Sequence, residues 1–103
     1  PCYHVFMIAS FKDGATEDLF NGVNSKRARK VCPRSLWPVA SRKLDQLDSA
    51  YSLDELKVPP GNHLESLRGN RRGQYSIRIN EQYRICFAWG ENGPGDVEIT
   101  DYH

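Results

Sequence analysis

The period of the hydrophobic pattern changes once along this chain, and that change constrains the fold more than any other feature. Between residues 35 and 50, apolar side chains recur every three or four positions, which predicts an amphipathic helix. After Asn62 they alternate with polar side chains, as in strands with one buried face. The helical stripe consists of Leu36, Ala40, Leu44, Leu47 and Tyr51. We therefore expect helices in the first half and a sheet in the second.

The strand predictions cover residues 63–68, 74–80, 83–89 and 96–102, joined by short links. Short links favour antiparallel pairing. An opening strand is expected at residues 7–11, and a first short helix at 16–20, with Thr16 as its cap. Residues 24–33 are expected to be a basic connector. Ser52 and Glu55 fit a capping box for one further turn.

Together these elements predict an α+β fold in one domain, residues 7–103. A small antiparallel sheet is packed by two N-terminal helices in the order β-α-α-β-β-β-β. Residues 1–6 precede the first methionine, Met7. We expect them to be an N-terminal extension or a remnant of cloning; the alternative is that they are native and lengthen the first strand.

Positive charge is concentrated in two regions although the net charge of the 103-residue chain is only +1. No acidic residue lies between Asp18 and Asp45, and no lysine follows Val58. Clustered arginines bind phosphate oxygens well, so RNA or DNA is the first candidate partner. The alternative is a solvated basic surface. The clusters include Lys26, Arg27, Arg29, Lys30, Arg68, Arg71, Arg72, Arg78 and Arg84.

Cysteine and histidine usage argues against several classes of site. Cys2, Cys32 and Cys86 are widely spaced, so neither a zinc ribbon nor a thioredoxin-type motif is expected. An odd, sparse set fits the reducing cytoplasm. No apolar stretch is long enough to span a membrane. The histidines are dispersed, and we expect no metal site.

The chain resembles the HigB-type toxins of bacterial toxin–antitoxin pairs, which belong to the RelE superfamily. The matching segments are MIxSFK at 7–12, KLxxLDxA at 43–50, PGN at 60–62, LRGNRxG at 67–73, YSIR at 75–78, YRICF at 83–87 and DYH at 101–103. The resemblance extends over residues 7–103. It implies a RelE-like fold, similar to microbial ribonucleases.

The resemblance also implies an activity. Such toxins enter the decoding site of the ribosome and cut messenger RNA by attack of a 2′-hydroxyl on the adjacent phosphate, without a metal or other cofactor. By matching position, Arg68 and Arg84 would hold the scissile phosphate. Asp101 and His103 would share proton transfer, and Tyr102 would orient the nucleotide or stack on it. Arg71 and the basic cluster of residues 26–34 would contact ribosomal RNA.

One position departs from some relatives. They carry an active-site histidine where this chain has Glu65. Either Glu65 acts as the base, or His63 substitutes for the missing histidine, or His103 works without an upstream partner. If residues 63–68 formed a strand, alternation would place His63 and Glu65 on one face.

The implied partners are a HigA-type antitoxin with a DNA-binding helix-turn-helix, the ribosome and messenger RNA. Operator DNA would be reached only through the antitoxin, and no membrane is involved. Two alternatives to the toxin mechanism remain: a non-catalytic RNA- or ribosome-binding module on the same fold, and a nuclease that cuts naked RNA.

Overall fold

The helical half precedes the sheet, as the change of period predicts. The computed structural model describes residues 7–101. The helices are α1 (Gly14–Phe20), α2 (Lys26–Val31) and α3 (Trp37–Asp48), with 3-10 turns at Arg34–Leu36, Leu53–Lys57, Pro60–Asn62 and Gly69–Arg71. The strands are β1 (Glu65–Ser66), β2 (Gln74–Arg78), β3 (Tyr83–Gly90) and β4 (Gly93–Asp101).

The four strands form one antiparallel sheet in the order β1-β2-β3-β4. Each strand pairs with the next along the chain, which short links favour. The register places Arg78 opposite Arg84, and Arg84 opposite Thr100. Residues directly opposite one another point to the same face of the sheet. The α+β fold with an antiparallel sheet is confirmed.

One face of the sheet is buried against the helices. The predicted stripe of α3 enters the core through Ala40, Leu44 and Leu47, while Tyr51 lies beyond the helix end and is exposed. The sheet contributes Ile77 and Ile85, among other buried apolar residues. Full burial of an aliphatic side chain is worth about 1.5–3 kcal/mol. This packing fixes the opposite face of the sheet in position for the polar side chains it carries.

The cap of α1 differs from the sequence prediction. Asp13, not Thr16, is the N-cap, and its Oδ1 accepts a hydrogen bond of 2.7 Å from the Thr16 amide. Thr16 is fully buried, and its Oγ1 accepts a hydrogen bond from the Ile99 amide at 3.1 Å. Propensity alone could not separate the two candidates, because Asp and Thr both cap helices well. The capping box of Ser52 and Glu55 is confirmed.

Three other elements also differ from the predictions. The basic connector contains the short helix α2, capped by Ser25, so there are three α-helices before the sheet. The opening strand is reduced to one parallel bridge between Phe11 and Val97. The strand expected at 63–68 is only β1, and His63 lies outside it with a left-handed backbone (φ 45°). The alternation that would align His63 with Glu65 therefore does not apply.

No helix within residues 7–101 is long and apolar enough to cross a membrane. Residues 1–6, 102 and 103 lie outside the described part of the chain, so the expectations for the N-terminal segment and for the whole 7–103 domain stay predictions.

Candidate active site on the arginine face

Arg84 lies near the start of β3, on the sheet face that points away from the helices, which we call the arginine face. Its Nε donates to Ser76 Oγ at 2.8 Å, and its Nη2 donates to the His63 carbonyl at 2.5 Å. The Arg84 side chain is only 11% exposed. Within residues 7–101 no group bonds to Nη1. The guanidinium is thus fixed along one edge and can present Nη1 to an anion.

Glu65 and His63 are both brought to Arg84, by different routes. Glu65 lies opposite Ser76 in the register, and its Oε1 is 3.8 Å from Arg84 Nη2. The Glu65 side chain is 58% exposed, so the carboxylate can also reach a bound molecule. His63 contributes its backbone carbonyl. The structure therefore places Arg84 beside Glu65, the position at which the resemblance implies a histidine in some relatives.

A buried amide holds the turn that positions the His63 carbonyl. Asn62 is fully buried, and its Nδ2 donates to Gln46 Oε1 at 3.0 Å and to the Leu56 carbonyl at 3.1 Å. Lys43 Nζ donates to Asn62 Oδ1. Burying an amide is tolerated when it is fully hydrogen-bonded, as here. The PGN turn is therefore tied to α3, and His63 follows it immediately.

Arg71 also belongs to the arginine face. Its Nη1 donates to Glu98 Oε2 at 3.0 Å and to Gln74 Oε1 at 3.2 Å. Glu98 lies opposite Cys86, which lies opposite Ser76, so this carboxylate shares a face with Arg84. Lys12 Nζ approaches the same Glu98 oxygen at 3.2 Å. The resemblance implies that Arg71 contacts ribosomal RNA, which stays a prediction; the structure places Arg71 on the same face as Arg84.

Arg78 adds a third arginine. It lies directly opposite Arg84, and like charges in that position repel one another. An anion between or beside them would offset the repulsion. Arg72 is exposed at the end of the 3-10 turn that precedes β2.

The structure does not place two of the predicted catalytic residues, Arg68 and Asp101, beside Arg84 and Glu65. Arg68 is exposed and lies beside the start of β2, since the adjacent Leu67 amide bonds the Gln74 carbonyl, whereas Arg78 and Arg84 lie at the other end. Asp101 pairs with Tyr83, so alternation places it on the opposite face from Arg84. Gln82 Nε2 donates to Asp101 Oδ2 at 3.1 Å. Tyr102 and His103 lie outside the described residues.

The Asp101 carboxylate affects Tyr83 electrostatically. Burial is the largest cause that raises the pKa of the Tyr83 phenol above its ordinary value, and the charge of Asp101 raises it further. This interaction agrees with the register, which places Asp101 on the Tyr83 side of the sheet.

The basic cluster on α2 is partly occupied by local contacts. Arg27 Nε donates to Asp18 Oδ2 at 2.7 Å, which raises the pKa of Arg27 and lowers that of Asp18. Arg29 Nη1 donates to the Asn24 side chain at 2.8 Å. Lys26 and Lys30 are exposed on the same helix. These residues are exposed on a helix that packs chiefly against α1, so they form a basic surface distinct from the arginine face.

Ser76, Glu98 and Asn62 support the site, and none was a predicted site residue. Ser76 holds Arg84, Glu98 holds Arg71, and Asn62 holds the turn before His63. The sequence did contain a signal for Ser76, because the alternation of apolar and polar residues over 74–80 puts Ser76 on the same face as Arg78. Asn62 had only the PGN segment of the resemblance as a signal. Within residues 7–101 no group of three or more His, Cys, Asp or Glu side chains could hold a metal ion.

Comparison with known proteins agrees with this architecture. A sequence profile of the family "RelE-like toxin of type II toxin-antitoxin system HigB" matches residues 9–103. The chain is 42% identical over 83 residues to Toxin HigB-1 of Vibrio cholerae, covering 81% of this chain and 84% of that protein. It is 40% identical over 70 residues to an uncharacterised protein of Haemophilus influenzae, covering 68% of this chain and 69% of that one.

Among solved structures, the YoeB-YefM complex from Staphylococcus aureus matches with a TM-score of 0.53 at 19% identity, covering 97% of this chain and 99% of the matched chain. That likeness supports the fold. The profile match and the identity to Toxin HigB-1 show that this chain belongs to the HigB-like family of RelE-like toxins of type II toxin–antitoxin systems.

Proposed function

We propose that this toxin is a ribosome-dependent endoribonuclease that cleaves messenger RNA in the decoding site and so inhibits translation and growth. The observation that carries the proposal is the fixed guanidinium of Arg84 beside the carboxylate of Glu65 on an open sheet face. The guanidinium would stabilise the negative charge that builds up on the phosphate during the reaction. The carboxylate would accept the proton of the neighbouring 2′-hydroxyl.

The chemistry is a transesterification. The 2′-oxygen loses its proton to a base and bonds to the adjacent phosphorus, and the bond from phosphorus to the 5′-oxygen breaks. The leaving 5′-oxygen takes up a proton, which gives a 2′,3′-cyclic phosphate and a free 5′-hydroxyl. The phosphorane carries extra negative charge, which Arg84 is placed to stabilise. The proposed reaction uses no metal, since cations and proton carriers of the chain supply each role.

In this reaction Glu65 is the proposed base, because its Oε1 lies 3.8 Å from Arg84 Nη2. Tyr102 and His103 follow β4 and are proposed from the family resemblance as the nucleotide-stacking group and the acid. Arg68 is proposed to contact RNA from the start of β2, and Asp101 to support the terminal residues rather than the phosphate. Lys26, Arg27, Arg29, Lys30 and Arg72 are proposed to contact ribosomal RNA.

A type II toxin has an antitoxin as its partner. We propose that this antitoxin is HigA-like and binds operator DNA through a helix-turn-helix, and that the toxin acts in the cytoplasm.

The test is primer extension on a messenger RNA incubated with the protein, with and without translating ribosomes. Cuts that require ribosomes support the proposal. Cuts in naked RNA would favour a free nuclease, and an absence of new ends despite growth arrest would favour a non-catalytic binding module. Ribosomes need magnesium, so EDTA cannot be used in the assay with ribosomes. Whether the toxin itself needs a metal is tested by adding EDTA to any cleavage of free RNA.

Arg84→Ala is expected to lower ribosome-dependent cleavage by roughly a hundredfold or more, because one preorganised charge stabiliser is removed. Lys57→Ala is the control, since Lys57 is an exposed cation that pairs with Asp54 at 3.3 Å and has no proposed role in the site. Full toxicity of Arg84→Ala, with a folded protein, would contradict the assigned site.

A further inference from the structure

A cavity of about 390 Å³ opens at the end of β2, between α3 and the turn that precedes β1. Its walls carry three cationic side chains, Arg42, Lys43 and Arg78, together with apolar surface from Pro59 and Ile79. The described residues that line it include no carboxylate. Ligand sites in proteins typically measure roughly 300–1,000 Å³, so a group the size of a nucleotide can enter.

Two of these cations, Arg42 and Lys43, are neighbours in α3, and no carboxylate among the described lining residues compensates their charge. Burial lowers the pKa of the Lys43 ammonium, and the nearby Arg42 lowers it further. Lys43 is fixed by its bond to the buried Asn62, and Gln46 bonds the same amide. Among the described residues, the Arg42 side chain makes one hydrogen bond, a long one of 3.5 Å from Nε to the Pro38 carbonyl. A bound anion would relieve this repulsion and gain charged hydrogen bonds.

Arg78 connects the cavity to the arginine face, because it lines the cavity and lies directly opposite Arg84 in the sheet. We propose that the cavity binds a backbone phosphate of single-stranded RNA, next to the phosphate held at Arg84. The apolar walls would contact the adjoining ribose or base. The inference rests on the proposed nuclease function and extends it by giving the RNA strand a path across the rim of the sheet.

The first test measures binding of a fluorescein-labelled oligouridylate to the isolated protein by anisotropy, over a series of NaCl concentrations. Arg42→Glu is the informative variant, because the Arg42 side chain makes only one long hydrogen bond within residues 7–101. We expect it to weaken binding roughly tenfold or more, which matches removal of a charged hydrogen bond. The slope of log K against log salt should fall by about 0.7 for each phosphate that the protein no longer neutralises.

Lys57→Glu is the control, since it makes the same charge change on an exposed cation that does not line the cavity. Equal affinities for the two variants would overturn the proposal, because the effect would then be one of net charge. Circular dichroism checks that both variants are folded.

The second test locates the ligand. Amide shifts of ¹⁵N-labelled protein are followed during titration with oligouridylate, inorganic phosphate or a glutamate-rich peptide. We expect saturable shifts at Lys43, Gly61 and Ile79 with oligouridylate, and their disappearance in Arg42→Gln. Binding of inorganic phosphate alone, or stronger binding of the acidic peptide, would overturn the RNA assignment and point to a free anion or to an acidic protein segment.

The two proposals can fail separately. If oligouridylate binds in the cavity but no ribosome-dependent cut appears, the nuclease function fails and the cavity assignment stands. If cleavage occurs and Arg42→Glu behaves as Lys57→Glu does in binding, the cavity assignment fails and the function stands.

Discussion

The hydroxyl of Ser76 fixes the direction of the Arg84 guanidinium through one hydrogen bond of 2.8 Å to Nε. Ser76→Ala would remove that acceptor and leave a buried charged donor less well satisfied, which costs about 1.5–3 kcal/mol for bonds of this kind. We expect cleavage to fall by roughly tenfold or more while the fold is retained, and Ser76→Thr to restore most activity. Cleavage rates with ribosomes, and melting temperatures of the three proteins, provide the measurement. Equal rates for alanine and serine would show that the bond does not orient Arg84.

The chemistry-bearing residue types of the site could be predicted from the sequence, but their grouping could not. The alternation of apolar and polar side chains can be read from the sequence, and the register of β2 and β3 places Arg78 and Arg84 on one face. The same alternation, extended to the end of β4, places Asp101 on the other face once the true register is known. Register depends on turn geometry and core packing, which the local pattern does not contain. The role of the His63 carbonyl could not be predicted from residue types, because the carbonyl is a backbone group.

At the scale of elements, Thr16 links the first helix to the last strand. Its buried Oγ1 accepts the Ile99 amide at 3.1 Å, so α1 and β4 share a hydrogen bond across 83 positions. Thr16→Val would leave that buried donor without a partner, at a cost of about 1–3 kcal/mol in the free energy of unfolding. Thr16→Ser keeps the hydroxyl and should be destabilised less. Urea denaturation of the wild type and both variants checks this, and a Thr16→Val as stable as the wild type would contradict it.

The elements with strong periodicity were predicted best. The α3 stripe and the alternation of β2 and β3 depend on several residues each, so one ambiguous position does not change the assignment. The short elements fared worse. The helix α2 consists of six residues, four of them charged, and is held by a Ser25 cap and the Arg27–Asp18 ion pair. Only tertiary contacts decide whether so short a segment is helical.

At the scale of the molecule, the two faces of the sheet carry separate tasks. The face under the helices supplies the core, and the other face carries Arg84, Arg78 and Arg71. Ser76 and Cys86 are nevertheless fully buried on that second face, and the Arg84 side chain bonds the Ser76 hydroxyl. A chain of net charge +1 thus groups three arginines on this face without a large overall charge. Binding to RNA should therefore respond to individual arginines more than to net charge.

The stability of the whole molecule should fall at alkaline pH because of Cys32. This thiol is only 1% exposed, and burial raises its pKa from 9.0 to about 11. The unfolded chain therefore releases the thiol proton at lower pH than the folded one. The stabilisation is fully present below about pH 9 and is lost as the pH rises from 9 to about 11, by up to roughly 2–3 kcal/mol.

Urea unfolding of the wild type and of Cys32→Ala, across that pH range, isolates this effect. The alanine variant keeps Tyr83 and Lys43, whose own shifts contribute with opposite signs and largely remain in both proteins. Its cavity lowers the free energy of unfolding by a similar amount at every pH. We expect the wild type to lose its advantage over Cys32→Ala as the pH rises. A constant difference between the two proteins would show that the Cys32 thiol does not ionise more easily in the unfolded chain.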